Sequence, residues 1–276
     1  MKTFPKFLLR LLCLTPLLLL PALTYANNIS YFKTYYNVDY IATGVGGLRD
    51  VGSGKITLTN LTGTVKQAYL YWHGPMVMAA ANNPLANATV KVNNQTVTGV
   101  NIGFSDDNCW GGYGFALSQA YRADITSLVA SNRNGTYVLT NFMKAIGTNT
   151  HAINVNGASM VVVYDDGNPN NNRDLVLFDG NDSNADNMYD EPGWNVHLAG
   201  INYTSGPVAL HLHVSDGQVF NPNDDGPVVL NGSVVLEPRG HVFSGDTNFI
   251  ASANNGPINN GCLWDIKNYQ IGAYMT

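Results

Sequence analysis

The chain is expected to fold as an all-β protein, an antiparallel β-sandwich with one short helix. Three features point there. Apolar residues recur at alternate positions in short runs, clusters of Gly, Asn, Asp and Pro separate those runs, and only one segment carries helical spacing.

Taken in order, the expected strands are YIATGV (40–45), GKITLTNL (54–61), VKQAYLYW (65–72), TVKVNN (89–94), TYVLTNF (136–142), ASMVVVYD (158–165), DLVLFD (174–179), VALHLHVS (208–215), PVVLNGSVVLE (227–237) and CLWDIKNYQI (262–271). In VKQAYLYWH, alternation sets Tyr69, Tyr71 and His73 on one face and Leu70 and Trp72 on the other, so one of the two sets belongs in the core. The intervening NRNG, DDGNPNNN and NPNDDG segments are turn signals, because Asn, Asp and Gly tolerate left-handed backbone and close local turns with their own side chains. The helix is ADITSLVAS, where Asp124 can cap the first turn and Ile125, Leu128 and Val129 share a face. No fixed-period repeat or Pro/Ser-rich linker divides the chain; residues 27–276 read as one large sandwich domain whose weakest point for a subdivision is the Asn-rich stretch 165–172.

The first residues have a different logic. Lys2, Lys6 and Arg10 precede an apolar run, Leu11–Leu20, that ends at small residues around Ala26. This is the pattern of a cleavable export signal, residues 1–26, and the apolar run is shorter than the ~20 residues of a membrane-spanning helix. No later segment is apolar enough to span. Residues 27–276 keep all 19 acidic residues but only 11 of the 14 basic ones, a net charge of −8. Nucleic acid is thereby disfavoured as a partner. Two cysteines remain, Cys109 and Cys262, each preceded by amides and close to a Trp; in an oxidising compartment one disulfide between them is the expectation, with two free thiols as the alternative.

Six segments, VDYIATGVGGLRDVGSGKITLTN, VKQAYLYWHG, YRADITSLVASNRNGTYVL, GASMVVVYDD, RDLVLFDG and LWDIKNYQI, together resemble an uncharacterised family of secreted bacterial and archaeal envelope proteins, often found in adhesin-like chains. The resemblance runs from about Val38 to the end. It implies a jelly-roll-like sandwich on the cell surface and carries over no catalytic residue. Family members continue into further strand material after the last of these motifs, which implies that the final strand here is an edge or that the chain is truncated.

Several constellations are candidates for chemistry. In LFDGNDSNADNMYDE, Asp179, Asn181, Ser183 and Asp190 fall at positions 1, 3, 5 and 12 of an EF-hand-like spacing, with Asp182, Asp186 and Glu191 as further oxygen donors. The sixth position is Asn184 rather than Gly and the preceding segment is strand rather than helix, so a calcium ion would depend on convergent oxygens alone; the alternative is a solvated loop whose side chains bond their own backbone. Asp165 with Asp166, and Asp224 with Asp225, form two further acidic loops that could meet the first. His211 and His213 share one strand face, a zinc pair if a third ligand arrives. Trp110, Tyr113 and Phe115 sit among glycines and offer a stacking platform for a sugar; the alternative has Trp110 packed on the disulfide.

There is no G-x-S-x-G elbow or phosphate loop. A glycosidase needs only two carboxylates, which spacing alone cannot identify. The expected function is therefore an exported or cell-surface, adhesin-like binding module, its loops ordered by calcium, that recognises glycan or a surface protein. The alternatives are a secreted hydrolase with a carboxylate pair and a structural envelope or matrix component; an enzyme is the less favoured class, and the oligomeric state is open.

Overall fold

The computed structural model describes residues 29–49, 51–76, 83, 85–105, 117–144, 154–182, 196–217, 225–245 and 263–275. The expected export signal, residues 1–26, and Cys109, Cys262, Trp110, Tyr113, Phe115, Ser183, Asp186, Asp190, Glu191 and Asp224 lie outside those residues. The strands are β1 (Ser30–Val45), β2 (Gly54–Leu58), β3 (Thr64–Met76), β4 (Thr89–Val92), β5 (Gln95–Thr98), β6 (Val100–Ser105), β7 (Leu117–Asp124), β8 (Gly135–Thr140), β9 (Gly157–Asp165), β10 (Arg173–Asp179), β11 (Ala209–Ser215), β12 (Val228–Leu230), β13 (Val234–Glu237) and β14 (Trp264–Gln270). The helix, α1, spans Thr126–Asn132.

A six-stranded sheet, ordered β10-β1-β9-β3-β7-β6, faces a four-stranded one, β2-β8-β4-β5, and every strand pair is antiparallel. The all-β antiparallel sandwich with one short helix is what the alternation in the sequence required. Its core lies between the two sheets. Leu70, Trp72, Tyr121, Met160 and Val162 come from the larger sheet, and Ile56, Leu58, Val90, Val92, Tyr137 and Leu139 from the smaller. Trp72 stacks on Tyr121 at 5.5 Å, meets Phe142 edge-on at 6.1 Å, and satisfies its indole N–H on the Asn87 carbonyl at 2.9 Å. That last bond matters because a buried donor without a partner costs about 1–3 kcal/mol.

Asp124 accepts from the backbone N–H of Thr126, the first residue of α1, at 2.8 Å, but the N-cap position itself is Ile125, which offers no side-chain bond; Leu128 and Val129 of the helix are buried. Three places depart from the sequence expectation. β1 begins ten residues before its YIATGV motif, β5, β6 and β7 were not anticipated as strands, and PVVLNGSVVLE is two strands joined by a turn at Asn231–Ser233. β1 escapes notice because register shifts at Tyr31/Lys33 and Tyr35/Val38, with Asn37 left-handed at φ 53°, break the alternation.

These irregularities also bend β1. Its second half pairs with β9 inside the sheet, while its first half pairs only with β10. In a flat sheet β10 and β7 would stand four strand spacings, roughly 19 Å, apart. Yet Asp179 of β10 forms an ion pair with Arg122 of β7, and Phe32 of β1 packs edge-on against Tyr69 of β3 at 5.5 Å. The β1–β10 ribbon therefore folds back over the outer face of the large sheet.

A second ribbon, β11–β14, covers the rest of that face. Trp264 donates to the Ser159 hydroxyl at 2.8 Å and lies flat on Gly157, where a Cβ would come within 2.7 Å of the indole ring. Any side chain at 157 would lift the ribbon. The opposite face of β11 buries Val214 against Val242 and Phe243, which close the far side together with β12.

Candidate functional site

The alternation that sends Leu70 and Trp72 into the core turns Tyr69, Tyr71 and His73 outward, beside Arg122 and Ser118 of β7. Here the folded-back ribbon meets the sheet. The Arg122 guanidinium lies 3.4 Å above the centre of the Phe32 ring and donates to Oδ2 of Asp179, which also accepts from the Tyr71 hydroxyl at 3.5 Å. The hydroxyls of Tyr35 and Tyr69 share a 2.7 Å hydrogen bond, and Asn181 Nδ2 donates to the carbonyl and hydroxyl of Ser118 at 3.2 and 3.1 Å.

Electrostatics follow from this enclosure. Burial raises the Asp179 carboxyl above its usual range, opposed by Arg122 and Tyr71. Burial likewise pushes the His73 imidazole down to about 4, helped by Arg49 and opposed by Asn181. Neutral His73 leaves its Nδ1 without a hydrogen-bond partner among the described residues.

Toward β11 the polar contacts bind the second ribbon to the sheet. Arg49, almost fully buried, donates to Asn156 Oδ1 at 3.0 Å and to the Asp216 carboxylate, and Asn156 Nδ2 donates to the Ser215 hydroxyl at 3.0 Å. His211 and His213 do share a face, but they face inward: the Tyr40 hydroxyl is 3.1 Å from His211 Nε2. Burial lowers His211 and, with the neighbouring His211, pushes His213 down to about 4. The His211 imidazole is thus positioned between the ribbon and Tyr40 of β1.

Above the ribbon, aromatic side chains face solvent. Tyr31 is 53% exposed and Tyr36 68%. Tyr31 stands edge-on to Phe178 at 6.1 Å and its hydroxyl accepts from Thr34 at 3.2 Å, while the Lys33 ammonium sits 5.1 Å from the Tyr35 ring centre. Flat aromatic faces beside hydroxyl, ammonium and amide groups can stack on an apolar ring face and hydrogen-bond its polar rim. Sequence reading did not single out this surface, although its signal was present: five of the ten residues from Tyr31 to Tyr40 are aromatic.

Of the expected calcium-binding residues, three are described. Asp179 is engaged by Arg122, so calcium there would compete with a guanidinium for the same carboxylate; Asn181 turns its amide nitrogen to Ser118 and is buried; Asp182 is the last described residue of this stretch. Among the described residues, Asp165 and Asp166 precede β10 and Asp179 ends it, so seven residues of strand, roughly 20 Å, separate them. Asp165 pairs with Lys66, Asp166 bonds the Asn168 backbone and the Asn171 side chain, and Asp225 accepts from the backbone of Phe243. Among the described residues no three His, Cys, Asp or Glu side chains are grouped to hold a metal. An open cleft of about 340 Å³ lies elsewhere, between β5 and the start of α1, lined by Gln95, Thr96, Asp124 and Thr126.

Fold and face together define a two-sheet antiparallel β-sandwich with a ribbon laid across its outer face and tyrosines on that ribbon. Compared with protein-family models, curated proteins and solved structures, the chain has no match.

Proposed function

We propose that the protein is an exported, adhesin-like binding module that recognises a glycan through the aromatic surface of the β1–β10 ribbon. One observation carries this reading: Tyr31 and Tyr36 stay largely solvent-facing on a strand whose neighbouring aromatics, Phe32 and Tyr35, are half-buried against Tyr69. The folded-back ribbon is braced from below by Arg122, Asp179 and Tyr71, so its upper surface is held in shape before any ligand arrives, which lowers the ordering cost of binding. The export signal read at residues 1–26 and the resemblance to envelope proteins support the location, and the net negative charge leaves stacking and hydrogen bonding as the main sources of affinity.

Calcium belongs to this proposal as a ligand of the acidic stretch 179–191. A chelator that leaves the melting temperature unchanged removes it. The glycan reading is tested on a glycan array with the processed protein: signals on a defined sugar class, weakened at least about tenfold by Tyr31→Ala or Tyr36→Ala, support it. A blank array with folded wild-type protein rejects it.

A further inference from the structure

The sequence holds eight Asn-x-Ser/Thr acceptors, at Asn28, Asn60, Asn87, Asn94, Asn134, Asn181, Asn202 and Asn231. With 35 Asn and 33 Ser or Thr in 276 residues, chance alone would supply about four. The fold sorts them. Asn87 is buried and its amide oxygen accepts from Met143; Asn181 is buried with its nitrogen committed to Ser118; Asn134 spends its nitrogen on the Leu61 carbonyl at 2.9 Å and its oxygen on the Leu61 N–H at 2.8 Å. Asn28 lies outside the described residues.

The other four are alike in a different way. Asn60 lies just past β2 with left-handed backbone at φ 62°, Asn94 closes the two-residue turn between β4 and β5 at φ 66°, Asn231 opens the β12–β13 turn at φ 51°, and Asn202 sits in the segment before β11. All four are exposed, and none makes a side-chain hydrogen bond among the described residues. In all four the hydroxyl residue two places on, Thr62, Thr96, Thr204 or Ser233, is exposed as well. Turns such as those at Asn94 and Asn231, and exposed connections such as those at Asn60 and Asn202, present the amide nitrogen where a transferase can reach it.

We propose that Asn60, Asn94, Asn202 and Asn231 are N-glycosylation sites of the folded protein, and that Asn87, Asn134 and Asn181 are not. The inference rests on the exported reading above. The co-reactant is an activated glycosyl phosphate delivered by a glycosyltransferase. The Asn Nδ2 forms a bond to the anomeric carbon as that carbon's bond to the phosphate oxygen breaks; the phosphate leaves with the electron pair and the amide gives up one proton. Glycans at these four exposed positions would surround the module with hydrated sugar while leaving the strand surface of Tyr31 and Tyr36 clear, since no acceptor lies within β1.

The test is peptide mass spectrometry on the protein recovered from the cells that encode it, together with sequencing of its N-terminus. Expected are hexose-type mass additions on peptides carrying Asn60, Asn94, Asn202 and Asn231, lost one at a time in Thr96→Ala and Ser233→Ala, and none on those carrying Asn87, Asn134 or Asn181. Unmodified Asn60, Asn94, Asn202 and Asn231 in a protein whose signal has been removed overturn this inference and leave the exported reading standing. An uncleaved N-terminus with all four unmodified overturns both. Equal modification of Asn87 and Asn181 overturns the sorting by fold, because it would mean that the chain is modified before it folds.

Discussion

The two faces of the six-stranded sheet use opposite means to the same end. The inner face is apolar and closes on the four-stranded sheet through Leu70, Trp72, Met160 and Val162. The outer face is closed by ribbons that hold on through ions and hydroxyls: Arg122 with Asp179 and Tyr71, Arg49 with Asn156 and Asp216, Trp264 with Ser159. Apolar packing has no preferred direction, so the inner face gains stability. Polar pairs need matched geometry, so the outer face gains a defined position for each ribbon at little net stability. That division suits a scaffold whose recognition surface is carried on one of those ribbons.

The largest expected effect tests the inner face. Trp72→Ala should cost about 4 kcal/mol in urea or guanidinium unfolding, because it opens a cavity between Tyr121 and Phe142 and leaves the Asn87 carbonyl without its donor. A loss under about 1 kcal/mol would mean that the sheets are not packed through this residue.

On the outer face Arg122→Ala should cost about 3 kcal/mol, since it strands the carboxylate of Asp179, whose side chain is only 13% exposed. Replacing both partners, Arg122→Met with Asp179→Leu, should recover most of that loss in the same unfolding assay. If the double variant is as unstable as the single one, the outer face depends on the ion pair for energy as well as for position.

Acid separates the faces without mutation. His73 and His213 are held neutral, with folded values near 4 against about 6.5 in an unfolded chain. Below about pH 6.5 the unfolded state takes up protons that the folded state refuses, so stability present above that pH falls as the pH drops toward 4. Asp39 and Asp179, raised by burial, act in the opposite sense and blunt the fall. Urea midpoints at pH 7.5, 6 and 4.5 should decline in that order, and hydrogen exchange should show the β11–β14 ribbon opening before the β3–β7 pair. Equal midpoints would show that neither imidazole is desolvated.

Two smaller effects sharpen the contrast. Tyr31→Ala and Tyr36→Ala should change stability by less than about 0.5 kcal/mol while removing glycan signal, since both rings are exposed. Lys66→Ala should leave the melting temperature unmoved, because its partner Asp165 is solvated and the ion pair is screened.

Local pattern in the sequence was enough for the fold class, for the two-faced alternation of residues 69–73 and for the bond between Asp124 and the first turn of α1. Each of these depends on contacts between near neighbours or on a period of two, which a short window contains. The outer face was largely hidden. The PVVLNGSVVLE segment carried its Asn-Gly hairpin signal in plain view, and the aromatic density of Tyr31–Tyr40 was legible too, but bulges in β1 erased the alternation that would have given those aromatics a face. In the same way His211 and His213 were correctly set on one side of a strand, yet nothing in H-x-H tells whether that side meets water or Tyr40.

The sequence by itself determined that this chain alternates, turns and pairs as an antiparallel sandwich, because hydrophobic periodicity is a local property. Only the tertiary structure decided that β1 bends at Asn37 and carries β10 back over the sheet, bringing Asp179 to Arg122 across 57 residues of chain. Such a contact is set by how two surfaces meet once the core has formed, and no stretch of sequence short enough to read contains both partners.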